Sequence, residues 1–143
     1  MDLDLAEDQD IARIARSVKV IAMVGLSPNE VRPSWGVARY LQAQGFRVIP
    51  VNPGHAGSTI LDEVVYASLS DIPAGTQVDM VDVFRRSDAV GAIVDEALSS
   101  LPGLQVIWTQ LGVRDDQAAA RAREAGLTVI QDRCPKIEFP RHL

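Results

Sequence analysis

The residues best suited to hold an anion lie together between Gly25 and Ser34, in the run Gly25-Leu26-Ser27-Pro28-Asn29-Glu30-Val31-Arg32-Pro33-Ser34. Five apolar residues, Val20 to Val24, come before it. The pattern reads as a buried strand, a glycine turn and a helix that starts near Ser34. The first turn of such a helix has unpaired N–H groups and the positive end of the helix dipole, and both favour a phosphate. Arg32 adds a full positive charge. Ser34 reads as the helix N-cap, a role that accounts for it without any ligand.

Three further loops carry groups of the same kind. Asn52-Pro53-Gly54-His55 follows the apolar run Arg47 to Val51, Phe84-Arg85-Arg86 follows Asp79 to Val83, and Gln110-Leu111-Gly112 follows Gln105 to Thr109. If these runs are parallel strands, all four loops leave their carboxyl ends and meet on one edge. Arg32, His55, Arg85 and Arg86 then share that edge, while Arg47 begins its strand and lies on the opposite one. Cations gathered at one rim of an acidic protein point to an anionic ligand. The competing reading is that the arginines are solvated or pair with Asp82 and Asp88.

Catalytic groups are not evident. Ser27 has no partner histidine in a recognisable motif, Gly-x-Ser-x-Gly does not occur, and the two histidines, His55 and His142, offer no metal-ligand spacing. Asp79 and Asp82, three apart on a strand, face opposite ways and cannot share a proton. Trp108 and Tyr40 read as core residues. Cys134, the one cysteine, excludes an internal disulfide. It follows the last strand, and if exposed beside a ligand it would be the place for a mixed disulfide.

Known nucleotide patterns fail at the first loop. The dinucleotide fingerprint needs three closely spaced glycines and an acidic residue about 20 positions on. Here the next glycine is Gly36, and the second strand ends in Asn52-Pro53. Walker A is absent, because no Gly-Lys-Ser/Thr occurs.

The elements that must position these loops alternate along the chain. Ile11, Ile14, Ala15 and Val18 form one stripe of a helix over Asp8–Val18. Strands are expected at Lys19–Val24, Arg47–Val51, Asp79–Val83, Gln105–Thr109 and Leu127–Ile130. Helices are expected at Ser34–Gln44, closed by Gly45; after Ser87 as N-cap; and over Asp115–Ala125, closed by Gly126. Asn52–Gly57 reads as a loop with no helix directly after it. An extended piece near Val64–Tyr66 and a helical turn at Ser68–Asp71 complete the reading. The fold class is therefore α/β: a single, doubly wound, mostly parallel sheet over residues 1–143, with helices on both faces. The first strand is expected to be central, between Arg47–Val51 and Asp79–Val83.

Composition sets the outer bounds. The 143 residues suit one domain, and a net charge of −5 with only two lysines argues against nonspecific nucleic-acid binding. No apolar run is long enough to cross a membrane, the acidic N-terminus does not resemble a signal peptide, and cytoplasm is expected. No feature indicates a protein partner.

Several stretches, in order, carry a family likeness: Val24-Gly25-Leu26-Ser27-Pro28 with Arg32-Pro33-Ser34, Ile49-Pro50-Val51-Asn52-Pro53, Val81-Asp82-Val83-Phe84-Arg85-Arg86, Gln110-Leu111-Gly112-Val113 and Asp132-Arg133-Cys134-Pro135. From about Val18 onward the chain resembles the small stand-alone CoA-binding proteins of Rossmann-like fold. These are similar to the CoA-binding domain of the succinyl-CoA synthetase alpha subunit. The resemblance implies that coenzyme A, free or acylated, is held at the four loops. Its contacts would be Gly25, Leu26, Ser27, Pro28, Arg32 and Ser34 in the first, Asn52, Pro53 and His55 in the second, Phe84, Arg85 and Arg86 in the third, and Gln110 and Gly112 in the last. In the synthetase a histidine of another domain carries the phosphoryl group, and this chain is expected to lack such a domain and to bind without catalysis. The alternatives are a subunit or remnant of an acyl-CoA ligase or transferase, and an NAD(P)-dependent reductase.

Overall fold

The computed structural model describes residues 3–143. Its frame is a five-stranded parallel sheet made of β1 (Val20–Val24), β2 (Arg47–Val51), β5 (Met80–Val83), β6 (Val106–Thr109) and β7 (Thr128–Ile130), in the order β2-β1-β5-β6-β7. These strands are apolar at nearly every position because helices cover both faces. On one face Ile21, Met23, Val48, Met80 and Trp108 pack with α1 (Leu3–Ser17), α2 (Pro33–Ala43) and α5 (Pro135–Glu138). On the other, Ala22, Ile49, Val81 and Ile107 pack with α3 (Val90–Ser100) and α4 (Asp116–Glu124). This is the doubly wound α/β architecture read from the alternation.

β1 lies between β2 and β5 as expected, but the middle strand of the five is β5. From β1 the chain winds outward through α2 to β2, then returns across the sheet to β5 and continues the other way. The winding therefore reverses between β1 and β5, and the crevice at their carboxyl ends is where such sheets take ligands.

Several boundaries differ from expectation for identifiable reasons. The first helix begins at Leu3 rather than Asp8, since apolar periodicity marks only the buried part of a helix. Ser34 is not the N-cap of α2: Arg32 holds that position, Pro33 opens the helix, and Ser34 lies inside it. Ser87 does not cap a long helix either. It opens a single 3₁₀ turn, Ser87–Ala89, ahead of α3, and its Oγ accepts the backbone N–H of Arg114 at 2.9 Å. The Asn52–Gly57 loop contains a 3₁₀ turn, Pro53–His55, and no helix directly follows the loop, as expected. The region after it forms a small hairpin, β3 (Thr59–Ile60) with β4 (Glu63–Val64), and a 3₁₀ turn at Leu69–Asp71. Gly45 and Gly126, both at positive φ, close α2 and α4 as read.

The amino-terminal edge of the sheet is internally bonded. Asp79 Oδ2 accepts the backbone N–H groups of Lys19 and Val20, each at 3.0 Å, and Arg47 pairs with Glu63 through two hydrogen bonds. Arg47 thus lies on the edge away from the four loops.

Candidate functional site

The end of β1 is clamped on both sides. Gly25 N–H donates to Val51 O and Phe84 N–H donates to Val24 O, both at 2.8 Å. Gly25 has φ +92°, and a Cβ there would stand 2.3 Å from the carbonyl oxygen of Phe84. Only glycine fits, so the chain turns sharply here with its backbone against β5. Arg85 lies alongside, its Cδ 3.1 Å from that same Cβ position.

The loop that follows is tied by its own side chains. Ser27 N–H donates to Ser34 Oγ at 3.0 Å, Asn29 N–H to Ser27 Oγ at 3.1 Å, and Val31 N–H to Asn29 Oδ1 at 3.1 Å. With Ser34 engaged across the loop, no side chain caps α2. The start of the helix therefore faces the loop as an unneutralised positive dipole end. Gly25, Ser27, Arg32, Pro33, Ser34 and Phe84 line a cavity of about 320 Å³ at this point. Arg32 and Arg85 are exposed and make no ion pair among the described residues, whereas Arg86 meets Asp88 at 3.4 Å with both side chains largely in solvent.

A second cavity, of about 580 Å³, adjoins the first through the shared residues Pro33 and Phe84. Arg85, Arg86, Gln110, Leu111 and Val113 complete its lining. The loop beneath it is anchored from several directions. Thr109 Oγ1 donates to Val113 O at 2.7 Å, and Gly112 N–H donates to Asp132 Oδ1 at 2.7 Å. Asp132 has φ +59°, a conformation that Asp tolerates better than most residues.

Four positions expected at the ligand have their side chains or N–H groups committed elsewhere. Leu26 is 1% exposed and belongs to the core under α2, leaving only its backbone for a ligand. Asn52 bridges the first two loops, its Nδ2 donating to Leu26 O at 3.0 Å and its Oδ1 accepting Gly54 N–H at 3.0 Å. Gly112 serves the loop through Asp132. Ser34 is buried and binds Ser27. Pro28, Pro53 and His55 are exposed on the rim without lining either cavity. Cys134 is buried in the core, so the accessible thiol that a mixed disulfide needs is not present. Pro33, Leu111 and Val113 were not among the expected contacts, yet they line the site. Their signal was an apolar side chain set between polar and glycine positions of a loop.

One buried group has no counterpart among the expected contacts. Asp82, on the middle strand between Met23 and Trp108, is fully buried, and neither carboxylate oxygen has a hydrogen-bond partner among the described residues. Burial raises its pKa well above the ordinary carboxyl value of 3.8, which favours the neutral acid.

A parallel sheet whose winding reverses between β1 and β5, with a glycine-clamped loop and an uncapped helix at the reversal, defines a Rossmann-like α/β protein with its ligand edge at the strand carboxyl ends. Within that class the chain belongs to the CoA-binding domain family, whose model matches residues 19–140. It is 35% identical over 132 residues to the uncharacterized protein YneT of Bacillus subtilis, covering 90% of each chain. Solved structures agree. A Thermus thermophilus protein is 35% identical with TM-score 0.87, the alignment covering 95% of this chain and 98% of that one. A hypothetical protein from Pyrococcus horikoshii is 33% identical with TM-score 0.88, covering 99% and 95%. An acetyl-coenzyme A synthetase of Ca. Korarchaeum cryptofilum, 21% identical with TM-score 0.64, shares the fold over 82% of this chain and 27% of its own. Family membership supports a CoA-binding role in general terms. Among the described residues no helix is long and apolar enough to cross a membrane, and no cluster of three metal-ligating side chains occurs.

Proposed function

We propose that this protein binds coenzyme A along the carboxyl edge of its sheet and performs no reaction on it. The pyrophosphate lies in the Gly25–Ser34 cradle, against the uncapped start of α2 and Arg32. The adenosine lies toward the Asn52–His55 loop over β2. The remaining arm runs the other way, past Phe84 into the cavity floored by Gln110 and Leu111. The observation that carries this reading is the cradle itself: an exposed arginine without an ion-pair partner among the described residues, beside a helix start that no side chain caps because the Ser34 and Ser27 hydroxyls both accept N–H groups of the loop.

At the adenosine end no carboxylate stands ready for ribose hydroxyls, and His55 is exposed beside that position. A 3′-phosphate is accepted there more readily than two free hydroxyls. Calorimetry with CoA, dephospho-CoA and NAD tests the assignment. CoA is expected to bind most tightly, dephospho-CoA about 3- to 10-fold more weakly, and NAD not measurably. Equal affinity for CoA and dephospho-CoA would remove the 3′-phosphate contact, and preference for NAD would overturn the reading. Steady-state assays with acyl-CoA substrates test the second half, and sustained turnover would contradict it. Acyl transfer needs a nucleophile next to an activating base. Ser27 Oγ accepts from Asn29 N–H with no histidine bonded to it, and Cys134 is in the core.

A further inference from the structure

The chain has only two lysines, and the fold sends them to opposite edges of the sheet. Lys19 directly precedes β1, where its backbone N–H donates to Asp79 Oδ2 at 3.0 Å, so it belongs to the amino-terminal edge. Lys136 lies in α5, two residues after Cys134, where the chain leaves the carboxyl end of β7. Both lysines are exposed. The length of β1 alone separates the two edges by about 16 Å.

Two contacts bring Lys136 beside the site. Its Nζ reaches α2 and stands 3.9 Å from the position that a Cβ on Gly36 would take. Gly36 is one turn beyond Pro33 on the same side of that helix, and Pro33 lines both cavities. From the other direction, the loop leading into α5 is tied to the loop after β6, because Gly112 N–H donates to Asp132 Oδ1. Leu111 of that tied loop lines the larger cavity. Glu138, the carboxylate of α5, is engaged by Arg133 and Arg141, and the Lys136 amine makes no ion pair among the described residues.

Residue type matters at this place. An arginine would only hold an anion, since a guanidinium keeps its proton, whereas a lysine amine that has lost its proton is also a nucleophile. The reading above supplies an electrophile, the thioester at the end of the pantetheine arm of an acyl-CoA. With the pyrophosphate at the end of β1, an arm running past Phe84 and Leu111 ends toward β7, three strands away or about 14 Å. Lys136 follows β7.

We infer that Lys136 is a self-acylation site, which takes the acyl group from an acyl-CoA held at the carboxyl edge. The unprotonated amine attacks the thioester carbonyl, the N–C bond forms and the C–S bond breaks. CoA leaves as the thiolate and takes up a proton, the nitrogen releases one, and the lysine becomes a neutral amide. The inference rests on the CoA reading and names acyl-CoA as the ligand class. One transfer per chain to the protein's own side chain is not turnover.

The test uses Lys19 as an internal reference. The protein is incubated with acetyl-CoA, and peptide mass spectrometry follows acetylation at both lysines. Held beside a bound thioester, Lys136 is expected to react about 10-fold faster than Lys19 or more. S-acetyl-N-acetylcysteamine carries the same thioester without the nucleotide, and with it the preference is expected to vanish. In Lys136→Arg the fast adduct is expected to be lost. Equal rates at the two lysines with acetyl-CoA would overturn the inference. So would the same preference with the small thioester, which would make Lys136 only the more reactive amine. Failure of acetyl-CoA to bind in calorimetry would instead overturn the CoA reading itself.

Discussion

The two edges of the sheet treat their polar groups in opposite ways. At the amino-terminal edge Asp79 accepts two backbone N–H groups and Arg47 is held by Glu63, so these two charged side chains are satisfied from within. The cavity at that edge is about 150 Å³, and no charged residue lines it. At the carboxyl edge Arg32 and Arg85 have no ion-pair partner among the described residues, α2 is uncapped, and Gln110 leaves its amide unpaired. The first edge satisfies these polar groups within the fold, and the second leaves several of its own unpaired. The difference follows from topology: the crossing connections leave space at the carboxyl ends where the winding reverses, and helix starts point into it.

Substitutions should separate the two edges. The largest effect is expected at Gly25, where the carboxyl edge also closes the fold. Gly25→Val forces a side chain into positive φ and against the Phe84 carbonyl, and should cost about 3–4 kcal/mol of stability. Denaturant unfolding measures this, and a variant of wild-type stability would show that the loop can move away. Next, Arg32→Ala should weaken CoA binding by about 1.5–3 kcal/mol, the worth of a charge-assisted hydrogen bond, with melting unchanged. Calorimetry paired with a melting curve checks both, and unchanged affinity takes Arg32 out of the site.

Asp79→Ala should give the reverse outcome. Losing the acceptor of the Lys19 and Val20 N–H groups should lower stability by about 1–2 kcal/mol without altering CoA affinity measured below the melting transition. An affinity loss as large as that of Arg32→Ala would erase the distinction between the edges.

A pH-dependent effect concerns Asp82, which lies between the edges. Its folded pKa is raised above the unfolded value of 3.8, so the folded chain holds a proton that the unfolded chain releases. The associated stability is fully present below the unfolded pKa and is lost as pH rises through the folded one. Other carboxylates titrate as well, so the informative quantity is the difference from Asp82→Asn. As pH rises above the unfolded value of 3.8 the wild type should lose stability relative to that variant, and parallel curves would mean that Asp82 is not held neutral.

Much of the frame was legible in the sequence because burial on two faces writes long apolar runs. β1, β2 and β5 were placed within a residue, and Gly45 and Gly126 marked helix ends that require positive φ. The four loops were legible as a group, since parallel strands joined by helices send every carboxyl end to one edge. Individual roles were less so. Ser34 and Ser87 looked like N-caps, yet Ser34 accepts an N–H from the start of its own loop and Ser87 accepts one from the loop after β6. A hydroxyl bonds equally well to its own helix or to a distant amide, and local sequence does not distinguish them.

By itself, then, the sequence determined the alternation of elements, the glycine turn after β1 and the gathering of Arg32, Arg85 and Arg86 at one rim. The tertiary structure decided which groups remain free there. Leu26 and Cys134 are in the core, Asn52 is spent on two backbone groups, and Gln110 and Asp82 are buried without partners. Residue type fixes what a side chain can bond. Whether a partner stands within about 3 Å depends on how loops distant in sequence pack, and the sequence holds that only through the whole fold.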